Sequence, residues 1–248
     1  MNCHNYISRC APRRNVNAIR AMVVVGLFGL ATTAQAAVVA SSSFTADAEG
    51  WTGLSCPNPG VCALGADPLA VQHLVAGGNP GGYIRTKDPS NTHAGRVTPP
   101  STFSSNFALG QILSFDVLVE KNGGDGVFDA TLAPLVTIES ASGTLVYGTT
   151  DFPIIDGPWK HYEVPFAADP NWSIFAGGAL RALLPGEFDT AFGIQTRLTI
   201  ISEWLKDSTA VDTGGLDNVV LSTVPVPAAL PLFVTALCGL GIKRKRHT

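Results

Sequence analysis

Histidine is scarce in this 248-residue chain, and of the 5 present only His73, His93 and His161 stand between the N-terminal leader and the C-terminal tail. None belongs to a nucleophile-elbow or metalloprotease motif, and the glycine-rich runs follow turns instead of opening a helix under a phosphate. No catalytic motif therefore stands out, and the chain does not read as an enzyme. Basic residues are missing from the middle. Of the 16 Lys and Arg, 8 lie at the ends (Arg9, Arg13, Arg14, Arg20 and 243–246), whereas all 19 Asp and Glu lie between 37 and 223, leaving 8 against 19, a net charge of −11. That balance argues against nucleic acid and anionic lipid surfaces, both of which need clustered cations. Neutral glycans, cations and basic partners stay open. Cysteine is thin too. Cys3, Cys10 and Cys238 belong to the ends, so the middle keeps only Cys56 and Cys62, separated by five residues that include Pro57, Asn58, Pro59 and Gly60. Such a turn brings the two sulfurs towards bonding range in an oxidising compartment. A metal pair is the alternative, but two cysteines with no nearby His or third Cys make a poor zinc site.

Long apolar runs are also lacking. Ala228–Ile242 is 15 residues, about 22 Å as a helix against a hydrocarbon core of about 30 Å, so it barely spans. Pro231, Gly239 and Gly241 weaken it further, and Lys243–Arg246 after it set the cytoplasmic side. Before it stands Val224-Pro225-Val226-Pro227-Ala228. Signature, short span and basic stop together resemble the PEP-CTERM sorting signals of Gram-negative bacteria, in the subgroup reading Val-Pro-Leu-Pro-Ala, with Val226 in place of Leu. The resemblance implies capture and trimming by an exosortase-type membrane enzyme, transient anchoring in the inner membrane, and delivery to the cell surface or secreted matrix. The N-terminus points the same way: a basic leader, the 11-residue apolar centre Ala21–Ala31 and Ala34-Gln35-Ala36 make a secretory signal peptide. The expected organisation is a signal peptide over 1–36, one domain of 187 residues over 37–223, and the sorting segment over 224–248.

Within the domain no long amphipathic helix is written; only Glu187–Ile194 suits a short one. Leu113–Val117 alternates with period two, His161–Val164 does so in part, and Leu135–Glu139, Thr144–Tyr147 and Leu198–Trp204 are β-branched or aromatic. Many short strands between Gly, Pro and Asn clusters predict an all-β fold, an antiparallel sandwich. Trp51, Phe115, Trp159, Trp172 and Trp204 read as core fillers in preference to sugar-stacking rings.

Phe44–Trp51, Gly77–Ile84 with Asp88, Pro99–Phe103, Leu113–Asp116, Leu198–Ile200 and Asp212–Val219 occur in the order and spacing of a laminin B (laminin IV) domain, which the chain resembles over nearly the whole middle. The resemblance implies a jelly-roll, galactose-binding-like sandwich. Phe44–Trp51 would be its opening strand, and Pro99–Phe103 would lead its next ones. It also implies that the first and last strands lie side by side, where Asp47, with Glu49, and Asp217 would hold a structural Ca²⁺ through hard oxygen ligands. The alternative for Asp217 is to accept backbone N–H groups at a turn. The expected function is a non-catalytic exported protein using its sandwich for adhesion or contact with extracellular polysaccharide, its ligand-binding residues unknown. The alternative is an exopolysaccharide-modifying hydrolase using two of Asp116, Glu120, Glu139 and Glu163. Intact-mass analysis of protein from its producing cells is expected to give a species beginning near Ala37 and ending near Val224–Ala228; surface-located protein still carrying Lys243–Thr248 would refute the sorting reading.

Overall fold

The computed structural model describes residues 36–57, 62, 66–87, 93–121, 127–128, 134–202, 205–206 and 213–224. The leader, Pro225 onward, Asp88 and Trp204 lie outside the described residues. The first strands are β1 Val38–Ser42, β2 Thr52–Pro57, β3 Asp67–Leu69, β4 Val71–Gly78, β5 Gly81–Lys87 and β6 His93–Thr98. Helix α1, Ser101–Ser104, precedes β7 Gln111–Glu120, β8 Val127–Phe128, β9 Pro134–Ser140 and β10 Gly143–Gly148. Then come β11 Lys160–Pro165, β12 Trp172–Ala176, β13 Ala179–Ala182, helix α2 Glu187–Gly193, β14 Gln195–Ile201, β15 Leu205–Lys206 and β16 Thr213–Thr223. One sheet of six strands runs β11-β7-β16-β5-β4, with β1 added to β16; a second of eight runs β13-β12-β10-β9-β14-β6-β2-β3, and β15 pairs with β8. The pairings within the sheets are antiparallel. This is the all-β antiparallel sandwich expected from the period-two runs.

The alternation of β7 shows why. Leu113, Phe115, Val117 and Val119 are buried in the core, and the intervening residues turn to the other face of the sheet. Leu216, Val219 and Leu221 of β16 and Ile84 of β5 join them from the six-stranded sheet; Val97, Val136, Ile138, Leu145, Ile174, Leu198 and Ile200 come from the eight-stranded one. A fully buried side chain of this size contributes about 1.5–3 kcal/mol.

Aromatic rings pack on one another in and against the core. Phe44, Trp51, Phe103, Phe107, Phe166, Phe192, Phe188, Trp172 and Tyr147 form an unbroken chain, neighbouring centroids being 5.0 to 5.9 Å apart. Each such pair adds about 0.5–1.5 kcal/mol beyond its buried area. Trp51, Phe115 and Trp172 are core fillers, as their sequence predicts.

Two expected strands are not strands. β1 ends at Ser42, and the chain over 43–51 turns, with Phe44 at φ 49, Glu49 at φ 51 and Gly50 at φ 78, a backbone no strand tolerates. Glu49 Oε1 fastens the turn by accepting the Phe44 N–H at 2.7 Å and the Ser43 N–H at 3.2 Å. In Pro99–Phe103, Pro100 stands just before α1 with extended backbone, φ −64 and ψ 160, and its carbonyl accepts from Phe103 N and Ser104 N, each at 3.0 Å.

β1 and β16 do lie side by side, Ser42 opposite Val219 and Val38 opposite Ser222. The pair is closed by Thr223 N donating to Ala37 O at 2.9 Å and Ala37 N donating to Thr223 Oγ1 at 3.1 Å. At the other end of β16 the two sheets meet so closely that a Cβ on Gly214 would overlap the Ser202 carbonyl. Cys56 on β2 and Cys62 form a disulfide with Cα atoms 4.7 Å apart, and Arg197 Nη2 of β14 donates to Cys62 O at 3.4 Å. A loop this short constrains the unfolded chain by less than about 3 kcal/mol. Reduction is therefore expected to lower the urea midpoint modestly while far-UV circular dichroism stays native; loss of the β signal on reduction alone would contradict this.

Candidate functional site

The even-numbered residues of β7 and the residues of β5, β11 and β16 opposite them form the outer face of the six-stranded sheet. Register sets its rows. Asp116 of β7 lies between His161 of β11 and Asp217 of β16, and Leu118 lies opposite Gly215, itself opposite Arg85, itself opposite Gln72.

The first row is an acidic pair held by amides. The register of β16 shifts between Asp217 and Val220, and Asn218 takes φ 48 in the bulge, a conformation Asn tolerates better than most residues. Asp217 is fully buried; its Oδ1 accepts from Asn218 N at 2.7 Å and its Oδ2 from Asn79 N at 2.6 Å. Asp116 Oδ2 accepts from Asn79 Nδ2 at 3.1 Å and from Asn218 Nδ2 at 2.8 Å. His161 Nδ1 donates to Asp116 Oδ1 at 2.7 Å, leaving an exposed ring whose Nε2 is 4.0 Å from Glu163. Asn79 is the corner of the β4–β5 hairpin, where Gly77 and Gly81 take φ 96 and 99. Gly78 passes so near Asp217 that a Cβ would lie 2.6 Å from Oδ2.

The second row is an aromatic and charged surface. Trp159 precedes β11 and shares the outward parity of His161 and Glu163, while Tyr162 and Val164 go into the core. Its indole N–H donates to Gly77 O at 3.0 Å, and its ring meets Tyr83 edge-on at 5.2 Å. Both rings pack tightly on Gly215: a Cβ there would lie 3.0 Å from Trp159 Cη2 and 3.2 Å from both Leu118 and Tyr83. Trp159 is thus a partly exposed ring pinned on the sheet, not a core filler. Beside it a cavity of about 420 Å³ is lined by Arg85, Leu118, Glu120, Lys121, Asp156 and Gly157. Arg85 Nε donates to Gln72 Oε1 at 2.9 Å and Nη1 is 3.8 Å from Glu120. Burial, with Glu120 adding to it, raises the Tyr83 phenol above its ordinary value.

The sequence-predicted site residues are distributed differently. Asp217 joins Asp116, but Asp47 sits in the turn before β2 with Oδ1 accepting Glu49 N at 2.7 Å, and no group of three or more metal-ligating His, Cys, Asp or Glu occurs among the described residues. Glu139 is bound by Arg197 on the other sheet at 2.8 and 2.9 Å. Nearby, Arg96 is fully buried and burial pushes it down to about 9, with Glu139 opposing; its Nε and Nη2 donate to Thr199 and Pro134 O at 2.6 and 2.9 Å. Val224 ends the described chain. Sequence reasoning missed Tyr83, Arg85, Lys121, Asp156 and Gly215, which become neighbours only through the pairing of β5, β16 and β7. Trp159 had a signal, its parity with His161 and Glu163.

No family model matches the chain, and no curated protein does. Among solved structures it shares the fold of a β-sandwich domain. The L4b domain of human laminin alpha-2 superposes with a TM-score of 0.53 at 13% identity, over 76% of this chain and 98% of that one. A xylan-binding domain from CBM 22 gives a TM-score of 0.38 at 9% identity, over 76% of this chain and 96% of that one.

Burial raises the Asp217 carboxyl above its ordinary value, Asp116 and Glu49 adding to it against the two amides. A raised folded-state value means that this carboxyl's contribution to stability is fully present below the ordinary carboxylate value and is lost as pH rises from there through the Asp217 value. A carbon-13 titration of that carboxyl in the folded protein is expected to show a midpoint above that of a free aspartate; one at or below it would overturn the assignment.

Proposed function

We propose that the chain is an exported, non-catalytic surface or matrix protein whose sandwich contacts glycan through the outer face of its six-stranded sheet. The observation that carries this is Trp159, a large ring left partly exposed and locked by its own N–H bond to Gly77 beside a cavity lined by charged side chains. A pinned indole offers an apolar face to sugar C–H groups with little rotamer entropy to lose. The paired end segments supply the route: secretion through the leader, then an exosortase-type enzyme as partner at Val224–Ala228. The non-catalytic reading is supported by the engagement of two of the strand carboxylates, Asp116 with two amides and His161, and Glu139 with Arg197. Structural calcium at Asp47 and Asp217 stays a proposal; an ion there would share oxygens that already accept amides.

Titration of the protein with a panel of bacterial and plant polysaccharides, read by intrinsic tryptophan fluorescence, is expected to give a saturable signal for at least one. Trp159→Ala is expected to remove that signal and weaken binding by about tenfold or more, the ordinary cost of losing one ring stack of about 1–3 kcal/mol. Unchanged binding in a folded Trp159→Ala protein would move the site elsewhere.

A further inference from the structure

We infer that the cavity beside Trp159 selects an uncharged saccharide with free vicinal hydroxyls over one rich in uronate or sulfate groups. The inference rests on the glycan reading of this face and adds the ligand's chemical class.

The lining decides it. Two cations, Arg85 and Lys121, are matched by two carboxylates, Glu120 and Asp156, around the apolar side chain of Leu118. Glu120 accepts from Thr213 and faces Arg85 through one oxygen, Oε2, and Asp156 accepts the Lys121 N–H at 2.8 Å through Oδ1. Glu120 Oε1 and Asp156 Oδ2 accept no hydrogen bond from the described residues. A carboxylate oxygen only accepts, so what completes it must donate. A sugar hydroxyl both donates and accepts: it can give its proton to Glu120 or Asp156 while taking one from Arg85 or Lys121. A ligand carboxylate or sulfate has no proton to give and would meet both acidic side chains with like charge. The domain as a whole adds to this bias, because a field from a net charge near −11 repels a polyanion before contact. Leu118 supplies its apolar wall, and Trp159 stands next to Leu118 at Gly215.

The test is isothermal titration of the protein, purified from its producing cells, with two sets of hexasaccharides. The neutral set is gluco-, manno-, galacto- and xylo-oligomers; the anionic set is oligogalacturonate, oligoalginate and a sulfated galactan oligomer. At low salt at least one neutral oligomer is expected to bind about tenfold or more tighter than any anionic one, the difference made by a single hydrogen bond to a charged group. Glu120→Gln keeps an acceptor but removes the charge; it is expected to weaken the neutral ligand several-fold and narrow the gap to the anionic set, with the melting temperature checking that the variant is folded. Tighter binding of an anionic oligomer, lost in Trp159→Ala, would overturn the charge selection and leave the glycan face standing. A Glu120→Gln protein that is folded and unchanged in both affinities would also overturn it. Absence of binding by either set would remove the glycan reading and this inference with it.

Discussion

The carboxylate of Asp217 is where the six-stranded sheet is fixed. β16 must serve two neighbours along one side, β5 with Thr213–Leu216 and β1 with Val219–Ser222, while pairing with β7 along the other. The change of neighbour needs a bulge, and a bulge leaves amides without ladder partners. Asp217 takes the Asn218 amide from its own bulge and the Asn79 amide from the adjacent hairpin, so one buried side chain ties both irregularities together. Burying a carboxylate is costly unless it is hydrogen-bonded, and here the two amides offset part of the cost. The position of the hairpin, and with it the Gly77 carbonyl that receives Trp159, follows from that arrangement.

The two sides of this sheet divide the work. Its inner residues meet the other sheet in an apolar core, with the aromatic chain from Phe44 to Tyr147 packed in and against it. Its outer residues are polar, charged and aromatic, yet many are held as firmly as the core: Trp159 by a hydrogen bond and a glycine slot, Asp116 by two amides and a histidine. Side chains held on strands in this way have little freedom left to lose, and lost freedom is where much of the cost of association arises.

Much of the fold was legible because burial on one side leaves a period of two. Leu113–Val117, Leu135–Glu139 and Thr144–Tyr147 all fall within strands, and Glu187–Ile194 contains the seven-residue helix α2. The turn over 43–51 was not legible, because Phe44 and Trp51 are buried like strand residues while the backbone between them reverses through positive φ. Pro99–Phe103 misleads for a related reason, since proline suits both an extended approach and the first turn of a helix. The site was harder still. Arg85, Glu120 and Gly215 are far apart along the chain, and only the pairing of three strands makes them one surface. For Asp217 the sequence left open a metal ligand or an acceptor of amides; the structure shows it accepting two amides.

Ala37 and Thr223 are bonded to each other, so whatever precedes the sandwich and whatever follows it leave from one pole. A pull on the C-terminal end therefore enters through β16, an interior strand flanked by β7 on one side and by β1 and β5 on the other. If the resisting load is held at the outer face on β7 and β11, the force runs along the strands and the ladder between β16 and β7 must fail in shear, many hydrogen bonds at once, instead of peeling open one by one. The same strand placement that seats the bulge thus sets how the domain resists a pull on its end.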